Sequence, residues 1–292
     1  MNKRKITEGK KKLLSVLLWM LVIYMVGHFV YVYNFSPEQK GFQDLAYVHF
    51  VDVGQGDAAI IQGKDFNVLI DAGEAGSGVT EYIDSLGITA FDYVIATHPH
   101  SDHIGGMKDV IDQYEIKNFM MPDVVHTTKT FENMISALED NAVEVTIPQT
   151  GDTFGNGEIL FTVIAPNSAA YESLNNYSIG LRLDCDERSF LFAGDAETVS
   201  EEEMLSGNIS LAADVYKVSH HGSTTSTSQA FLDAVDPEIA VISCGKGNSY
   251  GHPHKEILKR LSDKDIKILR TDMSGNILLF TDGKNIHYME NY

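Results

Sequence analysis

The chain has 292 residues, 43% of them hydrophobic, and carries 41 Asp and Glu against 22 Lys and Arg, a formal net charge of −19. That length suits one large domain of about 250 residues plus an appendage. The acidic balance works against polyanion binding by counterion release, so any nucleic-acid substrate would need bound metal ions and a local basic strip.

The appendage comes first. Lys3, Arg4, Lys5, Lys10, Lys11 and Lys12 precede an apolar run from Leu13 to Val32 that carries no formal charge apart from a protonated His28. At about 1.5 Å per residue, some 20 residues reach roughly 30 Å, the thickness of a bilayer core. A secretory signal would have a shorter apolar core and a small-x-small cleavage site, whereas this run ends in Tyr31-Val32-Tyr33-Asn34-Phe35. The expectation is a basic cytoplasmic tail over 1–12 and a single-pass transmembrane signal anchor over 13–33. A short linker over 34–44, with Pro37 and Gly41, then leads to an extracytoplasmic domain over 45–292. With the tail set aside, 16 basic and 40 acidic residues leave the body near −24.

From residue 45 to 70, strand-like YVHFVDV, AAIIQ and NVLI are separated by Gly54-Gln55-Gly56-Asp57 and Gly63-Lys64, which predicts an antiparallel start. The glycines of the first turn suit a close approach to a neighbouring loop, or simply a tight hairpin. Helical patterns follow over 78–86, 104–114 and 129–139, interleaved with strands over 92–96, 116–121 and 142–147. A second stretch predicts strands over 158–164, 178–184 and 188–193, a helix over 198–206 and a strand over 212–218. It continues with a helix over 227–234, a strand over 238–243, a helix over 254–262 and closing strands over 266–269 and 276–281. Mixed strands with helices outside predict an α/β fold, a four-layer αββα sandwich. Cys185 and Cys244 lie in apolar strand-like contexts, as two buried thiols or as a bond.

The chemistry concentrates where predicted strands end. His98-Pro99-His100-Ser101-Asp102-His103 follows the buried run Phe91 to Ala96 and sets three imidazoles and a carboxylate in one loop. Those are ligands that Zn²⁺, Mn²⁺ and Fe²⁺ accept, and four of them together predict a metal site, binuclear by ligand number. Asp195 ends a second strand in Ala193-Gly194-Asp195, and a carboxylate can bridge two cations with its two oxygens. His220-His221 ends a third, offering a ligand and a proton donor whose order the residues leave open. His252, in Tyr250-Gly251-His252-Pro253, can orient a phosphate or protonate a leaving group, whereas His254 reads as a surface residue at a helix start.

Together these segments resemble the metallo-β-lactamase superfamily, whose signature is the H-x-H-x-D-H string. Val48 to Asp57, Asn175-Asn176-Tyr177-Ser178, Phe192 to Asp195, Ala213-Asp214-Val215, His220-His221-Gly222-Ser223 and the Tyr250 loop follow in order. That series is similar to the extracytoplasmic β-lactamase-like domain of ComEC-type competence proteins and their stand-alone hydrolase relatives, over roughly 45–285. The resemblance implies two divalent ions, Zn or Mn, held by His98, His100, Asp102, His103, the bridging Asp195 and His220. Asp102, His221 and His252 are then the catalytic groups, and Asn176, Ser178 and Ser223 contact substrate. Many members take a further histidine before the bridging Asp. Here His126 is the only His of that interval and lies early in it, and Asn176 stands where this subgroup carries an Asn, which implies an open coordination position or an exchangeable metal such as Mn²⁺.

The function expected is a membrane-anchored, metal-dependent phosphodiesterase or nuclease acting on extracellular DNA. The alternative substrate is a cell-envelope phosphodiester such as a phosphorylcholine ester, which suits an acidic surface better. A lactamase or thioesterase fits the motifs less well, and a di-iron oxidoreductase would want a Glu where His100 stands. From another class, a catalytically silent binding module at the membrane is disfavoured by the intact ligand set.

Overall fold

Strand Ala46–Phe50 pairs on one side with Ala59–Gly63 and on the other with Ile277–Thr281, so the first and nearly the last strands of the domain lie side by side. The computed structural model describes residues 45–292. The expected tail, anchor and linker lie outside the described residues, among which no helix is long and apolar enough to cross a membrane.

Two sheets carry the fold. The first has eight strands in the order Ile286–Glu290, Ile277–Thr281, Ala46–Phe50, Ala59–Gly63, Phe66–Ile70, Tyr93–Ile95, Phe119–Met120 and Val145–Thr146. The second has seven, in the order Lys267–Arg270, Ile239–Ile242, Val215–Lys217, Arg188–Phe192, Gly180–Cys185, Ile159–Ala165 and Thr153–Gly155. Period-two alternation explains the layering. Val48, Phe50, Ile61 and Val68 point into one core with Val163, Leu181, Phe190 and Phe192 of the opposite sheet. Ile60, Leu69 and Val94, on the other face, pack against Ile83, Val110, Phe131 and Met134 of the helices. Leu191, Tyr216, Ala240 and Ile242 do the same behind the second sheet, with Phe231, Leu232 and Ile257. The result is the expected αββα order, and each fully buried Leu, Ile or Phe contributes roughly 1.5–3 kcal/mol.

Several boundaries differ from the sequence expectation. The helix predicted over 104–114 is two helices, Ser101–Ile104 and Met107–Gln113. The break is Gly105-Gly106, where added Cβ atoms would sit 2.3 Å from Ala75 N and 2.4 Å from Ala72 O. The first of these helices starts early enough to carry Asp102 and His103. The strand expected over 116–121 is split into Glu115–Ile116 and Phe119–Met120, and Thr153–Gly155 and Ile286–Glu290 are additional. Cys185 and Cys244 are buried and free.

The parallel strands set the site. Tyr93–Ile95, Arg188–Phe192, Val215–Lys217 and Ile239–Ile242 run out at the same end of the sandwich, and their exit loops hold His98, Asp195, His220-His221 and the segment toward His252.

Candidate metal centre

The parallel strands Phe66–Ile70 and Tyr93–Ile95 position His103. Asp71, at the exit of Phe66–Ile70, accepts from Thr97 N at 2.8 Å and Thr97 Oγ1 at 2.7 Å, and its Oδ2 lies 2.7 Å from His103 Nδ1. A carboxylate only accepts, so Nδ1 carries the proton and Nε2 is left facing the cluster. His98 is held from behind, its Nδ1 3.2 Å from Thr97 Oγ1 and 3.3 Å from Ser178 Oγ, with Nε2 3.0 Å from His100 Nδ1.

Asp195 stands at the centre. Its Oδ1 lies 3.3 Å from His103 Nε2, and its Oδ2 lies 3.8, 3.7 and 3.6 Å from Nε2 of His98, His220 and His221. The two oxygens thus face different imidazoles, as a bridging carboxylate requires. Asp102, His103, Asp195 and His221 offer one ligand atom each, all within 4.8 Å of one another. His103 Nε2, Asp195 Oδ1 and His221 Nε2 are buried without hydrogen-bond partners. Buried polar atoms left unpaired are costly, so three aimed at one point fit a cation there.

Electrostatics agree. Burial works against charge on His221, but Asp195 and Asp57 outweigh it and push the imidazole up to about 10. Against the same burial, Asp195, Asp71 and Asp102 hold His103 well above its usual value. A cation taken up here must displace those protons. Apparent metal affinity is therefore expected to rise with pH until about 10, where metal-free His221 loses its proton. Calorimetric titration with Mn²⁺ in buffers of different ionisation enthalpy measures this; binding without proton release would contradict it. The linked stability has the opposite sign. These raised values stabilise the metal-free fold fully below the ordinary 6.5 of histidine, and for His221 that stabilisation disappears as pH climbs through about 10.

The turn Gly54 to Asp57 presses on the metal loop. Gly56 has φ +139°, and a Cβ there would lie 2.2 Å from Asp102 O, while Asp57 N donates to the same oxygen at 3.1 Å. Gly56→Ala is expected to destabilise the domain by about 2–3 kcal/mol and to displace Asp102. An unchanged denaturant midpoint would refute this.

The expected site residues divide into those that meet and those that stand behind. His98, His100, Asp102, His103, Asp195, His220 and His221 converge. His220 and His221 do so through left-handed backbone, φ 49° and 53°, not through strand alternation. This is why both rings reach the same oxygen of Asp195, and it is His221, expected to be catalytic, that joins the four-atom cluster. His220, expected to be the ligand, is more exposed and places Nδ1 2.9 Å from Thr225 Oγ1. The three expected substrate contacts are buried supports. Asn176 Oδ1 accepts from Glu197 N and Ser200 N at the start of helix Thr198–Ser206, and Ser178 Oγ accepts from Asp195 N at 3.0 Å. Ser223 Oγ is engaged with Thr225. Its neighbours hold His252 neutral near pH 7: burial, then His221 and His220, lower it to about 4.

Above the cluster opens a cavity of about 340 Å³, to which Gln55, His126, Asn175, Tyr250 and His252 contribute. No Lys or Arg is among the described residues lining it. No role was expected from sequence for Asn175, Tyr250, Asp57, Asp71 or Lys217. Asp71 ends a buried strand as Asp195 does, and that shared position is the signal that would have found it.

A family model of the metallo-β-lactamase superfamily matches residues 51–246. The chain belongs to this superfamily. Among curated members it is 30% identical over 250 residues to ComE operon protein 3 of Bacillus subtilis, covering 79% of this chain and 32% of that protein. It is 29% identical over 260 residues to competence protein ComA of Neisseria gonorrhoeae, covering 87% and 34%. The chain thus spans about a third of the length of these relatives, and the ComEC-like character of its motifs is shown for that shared part. The metallo-β-lactamase fold protein YhfI of Bacillus subtilis superposes with a TM-score of 0.51 at 11% identity, over 84% of this chain and all of that one. This superfamily member therefore combines the fold, a kinship to competence proteins and a candidate His/Asp metal site.

Proposed function

We propose that this chain is a metal-dependent phosphodiesterase whose substrate is extracellular DNA, anchored by residues 13–33 with the domain on the outer face of the membrane. The observation that carries the hydrolase reading is the set of buried, unpaired ligand atoms on His103, Asp195 and His221 beneath an open cavity. The competence-protein relatives support DNA as the substrate, and the six basic residues before the apolar run support the orientation.

In this reading Asp102, His103 and His221 would hold one ion and His98 and His100 the other, with Asp195 between them. His221 thus takes the ligand role and His220 the proton-handling one. Two divalent ions, Zn or Mn, would supply Lewis-acid polarisation of a phosphoryl oxygen and lower the pKa of a bound water toward neutrality. Asp102 faces the cavity; burial disfavours its charge, but His103 and the nearby His221 bring it down to about 2, so as an ionised carboxylate it would accept a hydrogen bond from a water in the cavity. His220, at the cavity edge, presents Nε2 to the leaving oxygen. His252, neutral, orients the substrate.

One observation favours a smaller, cationic ester such as a phosphorylcholine ester of the cell envelope. Tyr250 is 65% exposed at the cavity mouth, stacked on His252 at 5.6 Å, and no basic side chain lines the cavity to hold a DNA backbone. The test is hydrolysis by the full-length chain, metal-depleted and then reloaded with Mn²⁺ or Zn²⁺. Single-stranded DNA, double-stranded DNA, bis(p-nitrophenyl) phosphate and p-nitrophenyl phosphorylcholine are offered in parallel. Metal-dependent DNA cleavage supports the first reading and turnover of the choline ester alone the second. No turnover of any substrate would leave a binding module and sink the hydrolase reading.

A further inference from the structure

Beneath the candidate metal centre lies a buried ion pair that the chemistry above does not use. Lys217 ends strand Val215–Lys217 of the second sheet, and its Nζ donates to Asp57 Oδ2 at 2.9 Å and to Val218 O at 3.2 Å. Asp57 belongs to the Gly54 to Asp57 turn of the first sheet, and both side chains are almost fully buried. Withdrawing two such charges from water costs several kcal/mol per ion, and a well-packed apolar pair is often as stable or more so. Stability alone therefore does not account for the pair.

Its contacts are one-sided. Asp57 N holds Asp102 O, and the other carboxylate oxygen, Asp57 Oδ1, is buried without a hydrogen-bond partner 3.3 Å from His221 Nδ1. The same Nδ1 lies 3.0 Å from Ser243 O, so the ring is steered from two sides. Asp57 thus reaches both Asp102 and His221. The hydrogen bonds of His98 run to Thr97, Ser178 and His100, on the other side of Asp195. Lys217 has a second effect. Asp57, Asp71 and His103 form an inner group whose ligand atoms also lie within 4.8 Å of one another. An ammonium bound to Asp57 places positive charge there and commits one of those oxygens.

We propose that the Asp57–Lys217 pair is a positioning device for the half of the metal centre held by Asp102 and His221. Lys217 turns the free oxygen of Asp57 onto His221 and keeps cations out of the inner group. The pair therefore acts on one ion of two, and this inference rests on the two-ion reading given above.

The test loads full-length wild type, Lys217→Met, Asp57→Asn and the Asp57→Asn/Lys217→Met double variant with Mn²⁺. Metal content is followed against free Mn²⁺, and electron paramagnetic resonance separates a spin-coupled pair from isolated ions. Wild type is expected to bind two ions that couple. The variants are expected to keep one ion at wild-type affinity and bind the other about 10–100-fold more weakly, with an isolated-ion spectrum. The double variant, which buries no charge, keeps the comparison open if a single substitution unfolds the chain. Two outcomes overturn the inference: both ions retained at wild-type affinity, or both weakened equally alongside a lower Tm, the pattern of a merely structural pair. Wild type that never takes up a second ion removes the two-ion reading and the inference with it, before any variant is compared.

Discussion

Under the proposed reading, Asp195→Ala is expected to lower metal-dependent phosphodiester hydrolysis by about three orders of magnitude or more, because it removes the carboxylate placed between the two halves of the candidate centre. The physical ground is the central place of this carboxylate, with Oδ1 3.3 Å from His103 Nε2 and Oδ2 3.6 to 3.8 Å from Nε2 of His221, His220 and His98, so imidazoles of both halves face it. Burial opposes charge on Asp195, yet His103 and His221 hold its carboxyl well below the usual range, so it is an ionised ligand at any working pH. A second readout separates loss of metal from loss of fold. Ligand linkage predicts that Mn²⁺ raises the Tm of the wild type, and that in Asp195→Ala this rise vanishes while the domain still unfolds cooperatively. Wild-type turnover in the variant, or an undiminished Mn²⁺-dependent Tm, would place the metal elsewhere.

The next largest contrast is between two neighbours. His221→Ala is expected to lose one bound ion and about 100–1,000-fold in kcat/KM, because its Nε2 closes the cluster with Asp102 at 3.2 Å and Asp195 at 3.6 Å. His220→Ala is expected to keep its metal content and lose about 10–100-fold, the range typical of a positioned proton-handling group. The measurement is metal analysis of both variants beside their steady-state kinetics. If His220→Ala is the one that loses an ion, the roles drawn from geometry are reversed, and the assignment expected from sequence stands.

Much of the site was legible because its donors cluster in sequence or end apolar runs. His98 to His103 is one loop, and Asp195 and His220-His221 each follow a recognisable strand. The layering was legible for a related reason, since alternation in segments such as Val48 to Phe50 and Ile60 to Ile61 already divides residues between two faces. What stayed hidden has physical causes. Asp57 and Lys217 are 160 residues apart, and each alone looks like an ordinary polar residue beside a strand. The left-handed pair His220-His221 breaks the alternation by which a strand would have been read. Strands of two residues, such as Phe119–Met120, are too short to show a period, and Ile286–Glu290 is a largely exposed edge with none. Asn176 has the residue type of a substrate contact, but its oxygen is spent on the backbone of helix Thr198–Ser206.

The pairing of Ala46 with Thr281 has a topological consequence. The domain is entered on one strand of its first sheet and left on Ile286–Glu290, two places along the same sheet, with Glu290 opposite Ile277 and Ile277 opposite Phe50. Four residues along the strand and two strand spacings across put entry and exit within roughly 16 Å. Because Ile286–Glu290 runs parallel to Ala46–Phe50, the chain enters at one end of these strands and leaves at the other, close enough for the unit to be carried as a cassette within a longer polypeptide. That architecture suits a module found in relatives about three times its length.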